Sequence, residues 1–521
     1  MFSFTKALPE EVGIPSSCIK NLLLTLDEKE IPMHSFLIMK DDKLVFEKYY
    51  APYKKDTLHR MFSISKSFSA IGISLLQAEG KISIDDPIVK YFPEYTSDST
   101  HPWIKMTTIR NMLMMRTCHA ACTYKVNMTS DWVESFFTVA PTHKPGTVFH
   151  YDTSAAHVLC ALVEKLSGME LLEYLKDRAF KHLDFSKDSY MIKDPFGVSM
   201  GGSGLMATPM DILKVLYLLD KKGTVICSDG QVRALLDPSF VLSATGNLSD
   251  TVMTAPILGE SQGYGMQIWQ NEMGGFLFYG MGGQLGISIP SEKMLIFTTA
   301  DTQGMQGANQ IIYDSIYEIL LPNIRDHSIS NDDSSNETSY NDLMEAAEKL
   351  SIAPPKLPKC RRNETIVSFI EKKKSHDDST NDVTDLEYTL TENRQGFKTL
   401  QINFSAEGPS TLSLTRDCDN CSGEKTDPIT INFGVNKMCD GDFPEHNTRY
   451  VAGAVWLREN VLFIKVHLVG ECVGSIRFEL YFEDSEVTVY MHKIEETYFN
   501  EFEGHLYGTQ GGTGGRFSRS T

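Results

Sequence analysis

Met61-Phe62-Ser63-Ile64-Ser65-Lys66-Ser67-Phe68-Ser69-Ala70 constrains this chain more tightly than any other stretch of its sequence. Apolar and small residues continue at helical spacing and predict a helix over about 64–79. Ser63 and Lys66 stand three residues apart, so both side chains fall on one helix face. A serine hydroxyl is a poor nucleophile until a neighbouring group accepts its proton. A lysine is such a group when burial or a nearby cation lowers its pKa. The same spacing also arises at an amphipathic helix start with an exposed lysine, so the flanking sequence has to decide.

On the N-terminal side, Ser35-Phe-Leu-Ile-Met39 and Leu44-Val-Phe-Glu-Lys-Tyr49, separated by Asp41-Asp42, predict a β-hairpin. On the C-terminal side, helical patterns fall at about 107–115, 154–167, 169–182 and 208–221. Strand signals return at 264–270, 276–280, 285–290 and 293–300. Strands at both ends with helices between them predict an α+β domain whose terminal strands share one sheet.

Two further positions carry chemistry. Lys144-Pro-Gly-Thr-Val-Phe-His-Tyr151-Asp152-Thr153-Ser154 sets a turn and then a capped helix start, with Tyr151 at its entrance. A phenol there, near a lysine ammonium, is expected to titrate low and shuttle protons. Otherwise it is a tyrosine packed at a helix entry. Gly280-Met281-Gly282-Gly283-Gln284 lies between two strand signals, where glycine lets backbone approach a ligand or simply closes a tight hairpin. It lacks both the P-loop Lys-Ser/Thr and the dinucleotide-binding spacing.

Ser63-x-x-Lys66, Tyr151 and a glycine-rich strand edge, in this order, resemble the serine β-lactamase and penicillin-binding-protein superfamily. The likeness is greatest to class C β-lactamases and the esterases and D-amino-acid peptidases related to them. Glu79–Pro87, Thr108–Leu113, Gly201–Asp211 and Gly263–Met266 fit the same series, so the resemblance spans roughly residues 8–322, about three-fifths of the chain. It implies a β-lactamase-like catalytic domain with an antiparallel sheet, flanking helices and a helical subdomain. It implies an acyl-enzyme at Ser63, proton transfer by Lys66 and Tyr151, and an oxyanion hole from the backbone N–H groups of Ser63 and Gln284. Thr153, Met281, Gly282 and Gly283 would border the substrate, a small acyl compound, and no metal or cofactor is implied. The family's Tyr-x-Asn/Ser is here Tyr151-Asp152-Thr153, and its Lys or His at the third motif is here Met281. Both departures remove polar anchors and point to a fairly apolar ester or amide ahead of a β-lactam. An acyltransferase sharing the acyl-Ser63 intermediate is one alternative. A catalytically impaired binding or regulatory protein is the other, although Ser63, Lys66 and Tyr151 are all retained.

The remaining chain predicts an acidic, Pro-containing linker over 326–384, with one short helix near Asp342–Leu350. Strand patterns then run over 385–507, read as an all-β barrel or sandwich of the lipocalin-like or small-barrel kind, and 508–521 is a flexible tail. The resemblance implies that such a domain, which packs beside the active-site entrance in some relatives, shapes access or supports self-association; simple stabilisation is the equal alternative. With 521 residues, more than one core is expected. Lys+Arg number 49 against 68 Asp+Glu, a net charge of −19 that argues against nucleic-acid partners. No apolar run reaches the ~18 residues of a membrane span. The N-terminus lacks signal-peptide features, so a cytoplasmic protein with reduced thiols is expected. Cys418-x-x-Cys421 with Cys439 and Cys472 could suit zinc, but no second CxxC supports it, and free thiols are the expectation. His119 and the run Met112–Met115 are expected to pack, and His150 to be solvated or packed, rather than act.

Overall fold

The computed structural model describes residues 2–511 except 227–229, 252–258, 260–261, 326–332, 363, 372–384, 406, 417–427, 447 and 496–497. Cys227, Cys418, Cys421 and the tail from 512 onward therefore lie outside the described residues. The chain divides into two compact units, Met1–Ser351 and Ile352–Thr521.

The first unit is built on a mixed sheet of strands β1 (Thr5–Lys6), β2 (Met33–Lys40) and β3 (Lys43–Tyr49), with four more contributed from later in the chain. Two-residue β4 (His59–Arg60) pairs with β6 (Leu205–Ala207), which also pairs with β5 (Tyr190–Met191); β7 (Thr224–Ile226) and β8 (Val232–Ala234) form a separate hairpin. The main sheet is completed by β9 (Trp269–Gln270), β10 (Phe276–Gly280), β11 (Gln284–Ile289) and β12 (Met294–Ala300), in the order β1-β3-β2-β12-β11-β10-β9. Residues from the two ends of the unit thus meet at its centre, where Ile38 pairs with Ile296. Asp41 and Asp42, both at positive φ, turn β2 into β3.

Helices cover both sheet faces. They are α1 (Ser16–Glu28), α2 (Ser65–Ala78), the short α3 (Pro102–Met106), α4 (Ile109–Leu113) and α5 (Trp132–Thr138). After them come α6 (Thr153–Ser167), α7 (Leu171–Arg178), α8 (Pro209–Asp220), α9 (Pro238–Ala244), α10 (Ala308–Ser315) and α11 (Asp333–Glu348). Strand alternation sends Leu37, Met39, Phe278 and Phe297 into one core with α2, α6 and α8. It sends Phe36, Ile38, Leu277 and Ile296 into a second core with α1, α10 and α11. Burial on both faces explains why these strands are near-continuous apolar runs.

Helix α2 is buried around most of its circumference. It approaches α6 and α7 closely at Gly72, where a β-carbon would lie 2.8 Å from Leu171 and 2.9 Å from Val163. The first unit continues through Ser351, past the boundary expected at 325. The reason is α11, longer than the short helix expected there: Leu343 and Ala347 are buried against the α1 side of the sheet, and Lys20 bridges to Asp342 at 2.7 Å. An i, i+4 apolar pair in an otherwise polar stretch is too sparse a stripe to stand out by composition.

The second unit is a closed nine-stranded β-barrel among the described residues. It contains β13 (Asp385–Leu390), β14 (Phe397–Asn403), β15 (Ser410–Arg416) and β16 (Ile429–Val435). Next come β17 (Met438–Phe443), β18 (Thr448–Arg458), β19 (Val461–Val469), β20 (Gly474–Glu483), β21 (Glu486–Lys493) and β22 (Gly504–Thr509). Neighbouring strands are antiparallel, β22 inserts between β13 and β21, and β16 closes on β18 in parallel, with β17 an extra strand on β18. Tyr388, Leu400, Leu412, Phe433, Ile464 and Phe478 are among the side chains that fill the interior. No helix among the described residues is long and apolar enough to cross a membrane.

Candidate active site

Ser63 sits in a single 3-10 turn, Phe62–Ile64, that runs directly into α2. Phe62 takes φ +47°, a conformation that a β-carbon opposes, so the turn must be held from outside. Three contacts hold it. The Met61 N–H donates to Leu205 O at 2.8 Å, Ser65 Oγ donates to Phe62 O at 2.6 Å, and the Arg60 guanidinium lies 5.0 Å over the Phe62 ring. Ser65 Oγ also accepts the Leu205 N–H at 2.9 Å.

Lys66 lies on the first turn of α2 and is 1% exposed. Its Nζ donates to Ser63 Oγ at 2.9 Å and to Gly202 O at 2.7 Å. Burial drives its pKa down from 10.5 to about 7; the nearby Cys122 and Asp152 push the other way, and Lys125 adds to the lowering. A lysine in this range is neutral often enough at neutral pH to accept a proton.

Gly202 belongs to a loop that only glycine permits. A β-carbon on Gly201 would lie 2.2 Å from Cys160 Cβ, and one on Gly202 would lie 2.4 Å from Thr153 Cγ2. Ser69 Oγ donates to Gly201 O at 2.9 Å, Cys160 Sγ approaches Ser199 O at 3.3 Å, and buried His157 pairs with Asp194 at 3.0 Å. These contacts latch the loop to α2 and α6 and fix the carbonyl that receives Lys66. The segment Gly201–Gly204 was legible as part of a motif series, but its task as a carbonyl acceptor for Lys66 was not.

Tyr151 precedes Asp152, the N-cap of α6, and the Lys66 ammonium lies 4.8 Å over its ring centroid. The expectation of a low phenol pKa does not hold. Burial pushes Tyr151 up to about 12, with hydrogen bonding from Ser63 and Trp269 opposing it only in part. The ammonium also faces the ring rather than the hydroxyl, which leaves the phenolate little charge stabilisation. Tyr151 is thus a neutral phenol beside Ser63. It packs on Trp269 (5.4 Å between centroids), which also meets Phe149 (5.8 Å) and Tyr264 (4.8 Å), so one flank of the site is aromatic.

The glycine-rich turn closes the other side. A β-carbon on Gly280 would lie 2.4 Å from Met61 O, so β10 ends against the backbone that leads into Ser63. Gly282 and Gly283 both have positive φ, and their carbonyls accept Thr302 N at 3.0 Å and Thr298 Oγ1 at 2.9 Å. The Gln284 side chain is fully buried, donating to Met281 O (2.6 Å) and Ala300 O (3.1 Å) while accepting from Ala300 N. Half-buried Met281 brings no charge to the turn. Thr153 is the first residue of α6 and packs its methyl against Gly202.

Other candidates stand apart. His119 is buried, bonded to Phe136 O at 2.9 Å and pushed down to about 4 by burial. Met112 and Met115 are core residues, and the His150 N–H donates to Met115 O. Cys439 and Cys472 form no disulfide, and no group of His, Cys, Asp and Glu among the described residues could hold a metal ion.

This fold and this Ser-Lys-Tyr geometry define a class. The chain belongs to the beta-lactamase family, whose Beta-lactamase sequence model matches residues 19–314, more than half of the chain. The 6-aminohexanoate-dimer hydrolase of Paenarthrobacter ureafaciens is 21% identical over 252 residues, covering 44% of this chain and 64% of that protein, so this chain spans a little under two-thirds of that relative's length. Among solved structures, the octameric penicillin-binding protein homologue from Pyrococcus abyssi is 16% identical with a TM-score of 0.45, over 94% of this chain and 99% of that one. The D-amino acid amidase from Ochrobactrum anthropi SV3 is 18% identical with a TM-score of 0.44, over 58% of this chain and 98% of that one.

Proposed function

We propose that the protein is a serine hydrolase that works through an acyl-enzyme on a small, fairly apolar ester or amide. One observation carries this reading: a buried lysine, lowered to about 7, lies 2.9 Å from a serine hydroxyl at the head of a buried helix. Neutral Lys66 takes the Ser63 proton as Oγ attacks the carbonyl carbon. The oxyanion is held by the backbone N–H groups of Ser63 and Gln284. The resulting Lys66 ammonium returns the proton to the leaving group, with the Tyr151 hydroxyl as the intermediate donor. Water then attacks the acyl group by the same route in reverse.

Met281, the methyl of Thr153 and the Phe149–Trp269 flank support an apolar acyl or leaving group, because none of them offers a charge to a substrate carboxylate. The similarity to a 6-aminohexanoate-dimer hydrolase supports hydrolysis as the reaction class. The test is turnover of short-chain and aromatic esters and amides, with intact-mass detection of acyl-Ser63. Esters and neutral amides should be turned over and Ser63→Ala should abolish labelling. Full activity in Ser63→Ala would overturn the proposal.

A further inference from the structure

We propose that Asp152 is a positioning residue for the Ser63–Lys66 pair: its buried carboxylate favours the ammonium form of Lys66 and so sets the pH above which Lys66 can take the serine proton. The inference rests on the hydrolase reading above and deepens it.

Asp152 stands between Tyr151 and Thr153 and is fully buried. It caps α6, with Oδ1 accepting from the Ser154 N–H at 2.9 Å and from Ser154 Oγ, and Oδ2 accepting from Thr117 Oγ1 at 3.3 Å. Every one of these partners is neutral, and no cation among the described residues lies within ion-pair distance. Asparagine, serine or threonine would cap the helix as well. A buried carboxylate without an ion-pair partner is unfavourable, so the cap accounts for the side-chain oxygens and not for the charge.

The charge acts on Lys66. Around Lys66, the 3-10 turn before α2 presents Ser63, the segment leading into α6 presents Tyr151 and Asp152, the 122–126 segment presents Cys122 and Lys125, and the Gly201–Gly204 loop presents only a carbonyl. Around Asp152 lie the hydroxyls of Thr117 and Ser154, the sulfur of Met115 that receives the Asp152 N–H, and the thiols of Cys118 and Cys122, whose ionisation it opposes. Burial pushes Asp152 up to about 6, just below Lys66 at about 7. Asp152 is therefore mostly ionised over the range in which Lys66 loses its proton. Removing the charge lets Lys66 deprotonate at lower pH.

The experiment measures the rate of Ser63 acylation by a fluorophosphonate from pH 4.5 to 9, by intact mass, for wild type, Asp152→Asn and Thr117→Val. Asp152→Asn keeps the cap and should move the acid limb down by about one pH unit, making acylation about tenfold faster well below the wild-type limb. Thr117→Val withdraws a hydrogen bond that favours the Asp152 carboxylate and should move the limb in the same direction by less. It also carries the test alone if Asp152→Asn does not fold. Acid limbs that coincide with wild type in folded variants would overturn the inference, as would a uniform loss of rate without movement of the limb. Failure of wild-type Ser63 to label at any pH would instead overturn the hydrolase reading, and this inference with it.

Discussion

The serines at 63, 65, 67 and 69 alternate from the 3-10 turn into the head of α2, and the structure gives each a separate task. Ser63 faces Lys66, Ser65 ties the strained turn to β6, Ser67 Oγ donates to Gln267 O at 2.9 Å, and Ser69 holds the Gly201 carbonyl. Buried hydroxyls need partners, so a helix carrying this many is fixed from several sides at once. Ser63, Lys66 and Tyr151 could be singled out as candidates because each lies in a short motif readable from its own neighbours. Their protonation states were not legible, because desolvation depends on what the rest of the chain packs around them. Lys66→Arg leaves a cation that cannot deprotonate, so Ser63 acylation should fall by about 10²–10⁴-fold, read with a chromogenic ester. A smaller drop would mean that another group takes the proton. The pKa of Lys66 falls on folding, so the unfolded chain binds more protons between about 7 and 10.5. Wild type should therefore gain stability as pH rises through that window, by on the order of a few kcal/mol. Lys66→Met should lack this gain and melt higher than wild type at pH 6. Parallel melting curves against pH would refute the assignment of a depressed Lys66.

Among the elements, the loop from Ile192 to Gly204 does most to place the lysine. Gly201→Ala sets a methyl into Cys160 and Ser69, and overpacking of this kind costs about 1–3 kcal/mol. It also displaces the adjacent carbonyl, so calorimetry should show a lower melting temperature and acylation kinetics a lower rate at every pH. Retention of both would mean the loop is not a support for Lys66. Helix α11 gives the opposite lesson about legibility. Its existence was expected but not its extent, because its capacity to pack rests on Leu343 and Ala347 within a polar run. Leu343→Ala should cost about 2–5 kcal/mol in thermal or urea unfolding if α11 is integral to the first unit. A change within experimental error would mark it as peripheral.

For the whole molecule, length and patterning made two folded regions legible, and the barrel's strand alternation was clear from about 400 onward. Closure was not legible, since pairing β16 with β18 and slotting β22 between β13 and β21 are long-range choices that no local pattern encodes. Each unit has its own hydrophobic core. A chain ending at Ser351 should therefore unfold in one cooperative transition and still label at Ser63, as differential scanning calorimetry and mass spectrometry would show. Loss of cooperativity would mean the first unit does not stand on its own.

The pairing of β2 with β12 also orders events in time. During synthesis, Ser63 and Lys66 emerge early, yet the central strand that β2 pairs with, Met294–Ala300, is made much later. So are the glycine turn that closes the site and the Gly202 carbonyl that holds Lys66. Until those segments arrive, Lys66 is solvated and keeps its ordinary basicity, and Ser63 is an ordinary alcohol. On the proposed mechanism, the topology thus delays activation of Ser63 until the first unit is nearly complete.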